Sequence, residues 1–171
     1  MKHVTLNTDG SLDWGSKQGS PGKAGYAYWI SSDIGRFKKY GRLPDCDNSM
    51  GPELAAIAKG IYFIRNHPEL KKVTKIIVNI DCQPAIDWVK SVNSRKKSHK
   101  KHKGSLQNIA RHHILLMMRE GYNNLHKVTI EYRHVKAHTN DLSEARKYVN
   151  DWLDKKAKAG RFIKLNNKNY D

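Results

Sequence analysis

The chain has 171 residues, with 32 Lys and Arg against 16 Asp and Glu, a net charge of +16. With 38% hydrophobic residues it is no disordered polycation, and no apolar run approaches membrane-spanning length. Cys46 and Cys82 stand too far apart for a disulfide scaffold or a thiolate zinc centre, and the nine histidines form no ligand set. A globular domain this basic is expected to meet a polyanion. No secretory leader pattern is visible, so a cytoplasmic protein that meets nucleic acid is expected, without membrane attachment and as a monomer.

In chain order, "KHVTLNTDGS" (2–11) opens with Val4, Leu6 and Thr8 alternating with polar residues, the pattern of a half-buried strand ending at Asp9. Residues 10–23 are rich in Gly, Ser and Pro and read as a loop. "AGYAYWIS" (24–31) and "RFKKYGRL" (36–43) read as strands joined by a tight turn at 33–35, completing an antiparallel meander. "PDCDNSMG" (44–51) reads as loop. Pro52 suits a first helical turn, Leu54, Ile57, Ile61 and Ile64 mark one helical face, and Pro68 stops that helix.

"TKIIVNI" (74–80) is a nearly continuous apolar run, expected to be a strand buried on both faces, with Asp81 at its end. Pro84 opens a short helix with Ile86 and Val89, and Trp88 beside them is expected in the core. Residues 93–104 are basic and without apolar period. Leu106, Ala110, Ile114 and Met117 restore helical spacing. "KVTIEYRHV" (127–135) alternates as a fifth strand, "KAHTND" (136–141) reads as loop, and Leu142, Ala145, Val149 and Trp152 define a last helix. The order β-β-β-α-β-α-α-β-α predicts an α/β fold: a five-stranded mixed sheet, an antiparallel meander plus two parallel strands, flanked by helices. One domain over 1–159 with a basic insertion at 93–104 is expected, followed by a basic tail at 160–171.

Four acids stand out in this layout. Asp9 and Asp81 each follow a strand; if those strands are parallel neighbours, their carboxylates converge at the end of the sheet where α/β folds bind ligands. Glu53 lies in the first turn of the first long helix and Asp151 lies mid-way along the last. Each has an ordinary explanation. Asp9 and Asp81 suit turns, Glu53 suits the helix macrodipole, and Asp151 has Lys147 and Lys155 one turn away. Together in one cavity the four would repel, raising the pKa of at least one, and a divalent cation relieves that repulsion. Mg²⁺ takes hard oxygen ligands, and two such ions about 4 Å apart activate a water and stabilise a leaving oxygen in phosphodiester cleavage. A basic body around an acidic metal pocket is the arrangement a nuclease needs.

At these residues the chain resembles the type 1 ribonuclease H family. The matching segments run in order: "TDGS" (8–11), "SPGKAGYA" (20–27), "PELAAI" (52–57), "DCQPAI" (81–86), "HVKAH" (134–138) and "NDWLDKKA" (150–157), covering about residues 3–158. The resemblance implies a three-layer fold with the mixed sheet inferred above. It implies an endoribonuclease that cuts the RNA strand of RNA/DNA hybrids, largely independent of sequence, leaving 5′-phosphate and 3′-hydroxyl ends. Carried over by motif, Asp9 would bridge two Mg²⁺ ions, with Mn²⁺ as a possible substitute. Asp151 would help hold the ion that activates water, and Glu53 and Asp81 the ion at the leaving oxygen. His138, on a loop, would assist proton transfer or product release.

Gly10, Ser11 and Gln83 match positions that approach the hybrid backbone, where hydroxyl and amide groups can read 2′-hydroxyls. The run "RKKSHKKHK" (95–103) falls where some members carry a basic protrusion, so Lys96, Lys97, Lys100 and Lys101 are expected to grip the substrate; a solvated loop and a localisation signal are the other readings. The chain also departs from the family. Asn48, a candidate substrate contact, stands alone where paired Asn is frequent, Cys82 replaces a common Ser, and Asp154, one turn from Asp151, adds charge near the site or forms a surface pair. Other nucleases of related fold and a hybrid-binding module that does not cut are the rival functions. The "DGS", "PEL" and "HVKAH" segments argue against the first, and the four acids argue against the second.

Overall fold

The computed structural model describes residues 3–14, 21–91, 128–136 and 143–165. Five strands form one sheet: β1 (His3–Asp13), β2 (Gly22–Ser32), β3 (Gly35–Cys46), β4 (Lys75–Ile80) and β5 (Thr129–His134). Their spatial order is β3-β2-β1-β4-β5. The first three pair antiparallel, while β4 lies parallel to both β1 and β5. This is the expected mixed sheet. The helices are α1 (Met50–Asn66), α2 (Gln83–Lys90) and α3 (Glu144–Gly160), with a 3₁₀ turn at Leu70–Lys72.

Pleat alternation divides the two faces of the sheet. Val4 and Leu6 of β1 and Tyr28 and Ile30 of β2 join Leu54, Ile57, Ile61 and Ile64 of α1 in the main core, which also takes in Val78 and Ile80 of β4 and Ile86 and Val89 of α2. Trp88 packs against this core, as expected. Ala27 and Trp29 turn to the other face and meet Leu153 and Ala157 of α3 in a smaller cluster.

Several boundaries differ from the sequence reading. β1 continues through Asp9 to Asp13, because Gly10 to Asp13 pair with Lys23 to Tyr26 of β2. Residues 10–13 are therefore strand and not loop, and Asp9 lies within β1 and not beyond its end. β3 likewise runs on through Pro44 to Cys46, residues read as loop. Along α3 the buried positions are Leu153, Ala157 and Gly160; Ala145 is exposed, and Val149 and Trp152 are half-buried. The stripe facing the sheet thus falls nearer the C-terminal end than the apolar residues suggested. Leu142, the basic segment 93–104, the helical spacing at 106–117 and residues 166–171 lie outside the described residues.

Candidate active site

What brings the acids together is the unequal length of two strand pairings. β1 and β4 pair only from His3↔Lys75 to Asn7↔Asn79, whereas β1 and β2 stay paired to Asp13↔Lys23. Asp9 therefore sits just beyond the point where β4 turns away, with open space on that side. Asp81 follows the last residue of β4. Its backbone is fixed by β5: the Val135 N–H donates to the Ile80 carbonyl at 2.8 Å, and His134 Nε2, when it carries the proton, donates to the Asp81 carbonyl at 2.9 Å.

Glu53 arrives from the other layer, through Gly10. A Cβ on Gly10 would stand 2.3 Å from the Pro52 carbonyl carbon and 2.4 Å from the Glu53 nitrogen. Only a residue without a side chain lets the first turn of α1 rest directly on β1. In that contact the Gly10 N–H donates to Glu53 Oε2 at 3.2 Å. Upstream, the Gly51 N–H donates to Asn48 Oδ1 at 2.8 Å, satisfying one of the free amides at the start of the helix.

The outcome is one oxygen from each of Asp9, Glu53 and Asp81 within 4.8 Å of the others, Glu53 buried and Asp81 exposed. Their mutual effect is marked. Burial, then the charges of Asp81 and Asp154, push Asp9 up to about 7, against smaller opposing effects of the Gly10 N–H and Lys158. Burial, followed by Asp9 and Asp81, holds Glu53 well above the usual carboxylate range. Asp9 and Glu53, which resist ionising beside Asp81, form with it a set of three hard oxygen donors that fits a divalent cation, which would stabilise the charges at once.

Asp151 is exposed on α3 and outside this trio, but it lines, with Asp9 and Asp81, a cleft open to solvent between the sheet and α3. The structure thus brings Asp9, Asp81 and Asp151 to one cleft, and Asp9, Glu53 and Asp81 into contact range of one another. Asp154 lines the cleft as well and also bonds Lys158 at 2.8 Å, combining the two roles its position suggested.

Beneath the acids lies a feature the sequence reading missed. Asn79 Nδ2 donates to Asn7 Oδ1 at 2.9 Å, and Asn7 Nδ2 donates to the Trp29 carbonyl at 3.2 Å, all buried. The signal was present: Asn79 interrupts the apolar run of β4, and Asn7 holds the register position opposite. Of the expected substrate contacts, Gly10 and Ser11 lie on β1 beside Asp9. Gln83 opens α2, where its amide donates to Asp87 Oδ1 at 2.8 Å, and Asn48 Oδ1 accepts from the Gly51 N–H of α1. Cys82, at the N-cap of α2, makes no side-chain cap, and burial pushes its thiol up. His138 and Lys96, Lys97, Lys100 and Lys101 lie outside the described residues.

The family model for RNase H matches residues 1–162. No curated protein matches the chain significantly in sequence. Among solved structures, the chain is similar to RNase H1 of the archaeon Halobacterium salinarum, at 13% identity and a TM-score of 0.56, over 92% of this chain and 96% of that one. It is similar to the RNase H domain of prototype foamy virus, at 16% identity and a TM-score of 0.62, over 93% and 94%. It is also similar to LC11-RNase H1, isolated from compost and solved in complex with an RNA/DNA hybrid, at 12% identity and a TM-score of 0.55, over 91% and 97%. At these identities the likeness is one of fold.

Proposed function

The chain belongs to the RNase H family, and from that premise we propose that it is an endoribonuclease that hydrolyses the RNA strand of RNA/DNA hybrids, acting as a monomer in the cytoplasm. The observation that carries this reading is the convergence of Asp9, Glu53 and Asp81 within 4.8 Å in a chain of net charge +16. A module that merely gripped a polyanion would gain nothing from acids at the point of contact. The hybrid bound to LC11-RNase H1 supports the choice of substrate.

Asp9, Glu53, Asp81 and, from across the cleft, Asp151 would hold two Mg²⁺ ions, or Mn²⁺ in their place, which when bound activate water and neutralise charge on the leaving oxygen. The chain's own residues do the positioning. Gly10 holds Glu53 against β1, the ends of β4 and β5 fix Asp81, and α3 carries Asp151 to the rim. Ser11 and Gln83 contact 2′-hydroxyls of the RNA strand, and His138 moves a proton or aids product release. Lys96, Lys97, Lys100 and Lys101 draw in the hybrid backbone, so binding weakens steeply with salt.

The test is cleavage of a labelled hybrid in Mg²⁺ beside duplex DNA and single-stranded RNA. The hybrid's RNA is expected to be cut and the other two left largely intact, with Asp9→Asn abolishing the cut while circular dichroism stays unchanged. Cutting of DNA junctions or ends in place of hybrid would reassign the substrate. A hybrid that shifts on a gel but is never cut in Mg²⁺ or Mn²⁺ would reduce the chain to a binding module.

A further inference from the structure

On the far flank of α3 from the acid cleft, two stripes of side chains interlock. Tyr148, Trp152 and Lys156 stand four residues apart along α3 and so share one edge of the helix. Lys38 and Tyr40 stand two apart on β3 and share one face of the sheet. Trp29 of β2 lies beneath them, with Tyr148 and Trp152 edge-on to its ring at centroid distances of 5.7 and 5.5 Å. Tyr40 meets Trp152 edge-on at 6.3 Å. The Lys38 ammonium sits 3.9 Å from the Trp29 ring centre and 5.5 Å from that of Trp152, and the Lys156 ammonium sits 4.8 Å from that of Tyr40.

Packing accounts for Trp29, which is buried, and for the half-buried Trp152, but not for the two tyrosines. Tyr148 is 61% exposed and Tyr40 37%. Among the described residues neither Lys38 nor Lys156 forms an ion pair with a carboxylate, so both cations rest on aromatic rings with their charge uncompensated. Exposed aromatic rings interleaved with free cations match a nucleic-acid single strand, whose bases stack on the rings while phosphates meet the ammonium groups. A duplex offers no free base faces, so the chemistry selects a strand that is unpaired. The patch is also within reach of the cleft, since Tyr148 lies three residues, or about one turn, from Asp151.

We infer that Tyr148, Tyr40, Lys38 and Lys156 form a platform for a single-stranded nucleic-acid segment, such as the unpaired extension of a hybrid seated in the cleft. The link to a hybrid rests on the function proposed above; the strand-binding chemistry does not.

The experiment is fluorescence anisotropy with the intact protein and no divalent ion, so that nothing is cut. The probes are a short single-stranded oligonucleotide, a blunt hybrid, and the same hybrid with a single-stranded extension. The extension is expected to tighten binding over the blunt hybrid. Tyr148→Ala and Tyr40→Ala should each weaken the single strand and remove part of that gain by about tenfold, with Tyr148→Phe close to wild type and blunt-hybrid affinity within about twofold. Lys38→Gln should lower the salt slope for the single strand by about 1. Unchanged single-strand affinity in the tyrosine variants would overturn the inference, as would equal losses on blunt and extended hybrids. Tyr148-dependent self-association in sedimentation with no strand binding would also overturn it, assigning the face to a protein partner. Because no turnover is measured, failure here and failure of hybrid cleavage are read separately.

Discussion

On the α1 face of the sheet, Leu6, Tyr28 and Ile30 meet the apolar side of α1, and the helix comes close enough at Gly10 that no side chain fits between. On the α3 face, the buried apolar side chains are few, Ala27, Trp29, Leu153 and Ala157; Gly25 and Gly160 let the end of α3 rest on β2 and β3, and elsewhere lie an Asn7–Asn79 amide pair, an open cleft and rings exposed to solvent. One face holds the chain together and, through Gly10, aims Glu53. The other leaves a cleft lined by Asp9, Asp81 and Asp151 open to solvent. Burying both faces fully would have closed the cleft, so the thinner core of the α3 side is the structural counterpart of access to the acids.

The largest effect that would break this comparison is expected at Gly10. In Gly10→Ala the new Cβ meets backbone, which cannot rotate away, so the first turn of α1 must shift. A loss of about 2–4 kcal/mol in denaturant unfolding is expected, with hybrid cleavage down about a hundredfold as Glu53 moves. Gly60→Ala, which meets only the flexible end of Leu6, should cost about 1–3 kcal/mol and leave cleavage near normal. Equal activity losses in the two variants would show that α1 does not aim the site through Gly10.

Next comes the polar floor of the other face. Asn79→Ala removes the donor to the buried Asn7 oxygen and is expected to lower stability by about 1–3 kcal/mol, read in the same unfolding experiment.

The acids themselves should act against the fold when no cation is present. Asp9 carries its proton up to about 7 in the native state, against an ordinary 3.8. Between those values the folded protein binds the proton more tightly than the unfolded chain, so this residue's contribution to stability falls as pH rises. Metal-free Asp9→Asn should therefore be more stable than the parent above pH 7, on the order of 1–3 kcal/mol, with the gap closing toward pH 4. Added Mg²⁺ should narrow the gap at neutral pH, and its apparent affinity should rise with pH through about 7. A gap independent of pH would mean that Asp9 is not the strained acid.

The smallest effect is expected at Asp154. Its charge helps raise Asp9, so Asp154→Asn should move the acid limb of the pH–activity profile downward by a fraction of a unit, and Lys158→Gln should move it upward.

The sheet and the trio of Asp9, Glu53 and Asp81 were legible because each rests on a local pattern: alternation in β1, an apolar run in β4, prolines in the first turns of α1 and α2. The less legible features depend on partners distant in the chain. Asp9 looked like a turn residue beside Gly10, yet β2 keeps β1 extended to Asp13, and nothing local to "TDGS" announces that pairing. Gly10 was read for its approach to substrate, whereas the closest backbone to it belongs to Pro52 and Glu53 of its own chain. The amide pair needed the β1–β4 register before Asn7 and Asn79 could be seen as neighbours. On α3, Ala145 is exposed and Val149 and Trp152 are only half-buried, so its periodicity marked a helix but misplaced the buried stripe.

The hydrogen bond from the Gly10 amide to Glu53 gives the site a spectroscopic handle. A backbone proton bound to a carboxylate responds to that group's ionisation, and Gly10 has no side chain to complicate the signal. Its amide resonance would register the arrival of a cation at Glu53, or of a proton, with neither substrate nor turnover in the tube.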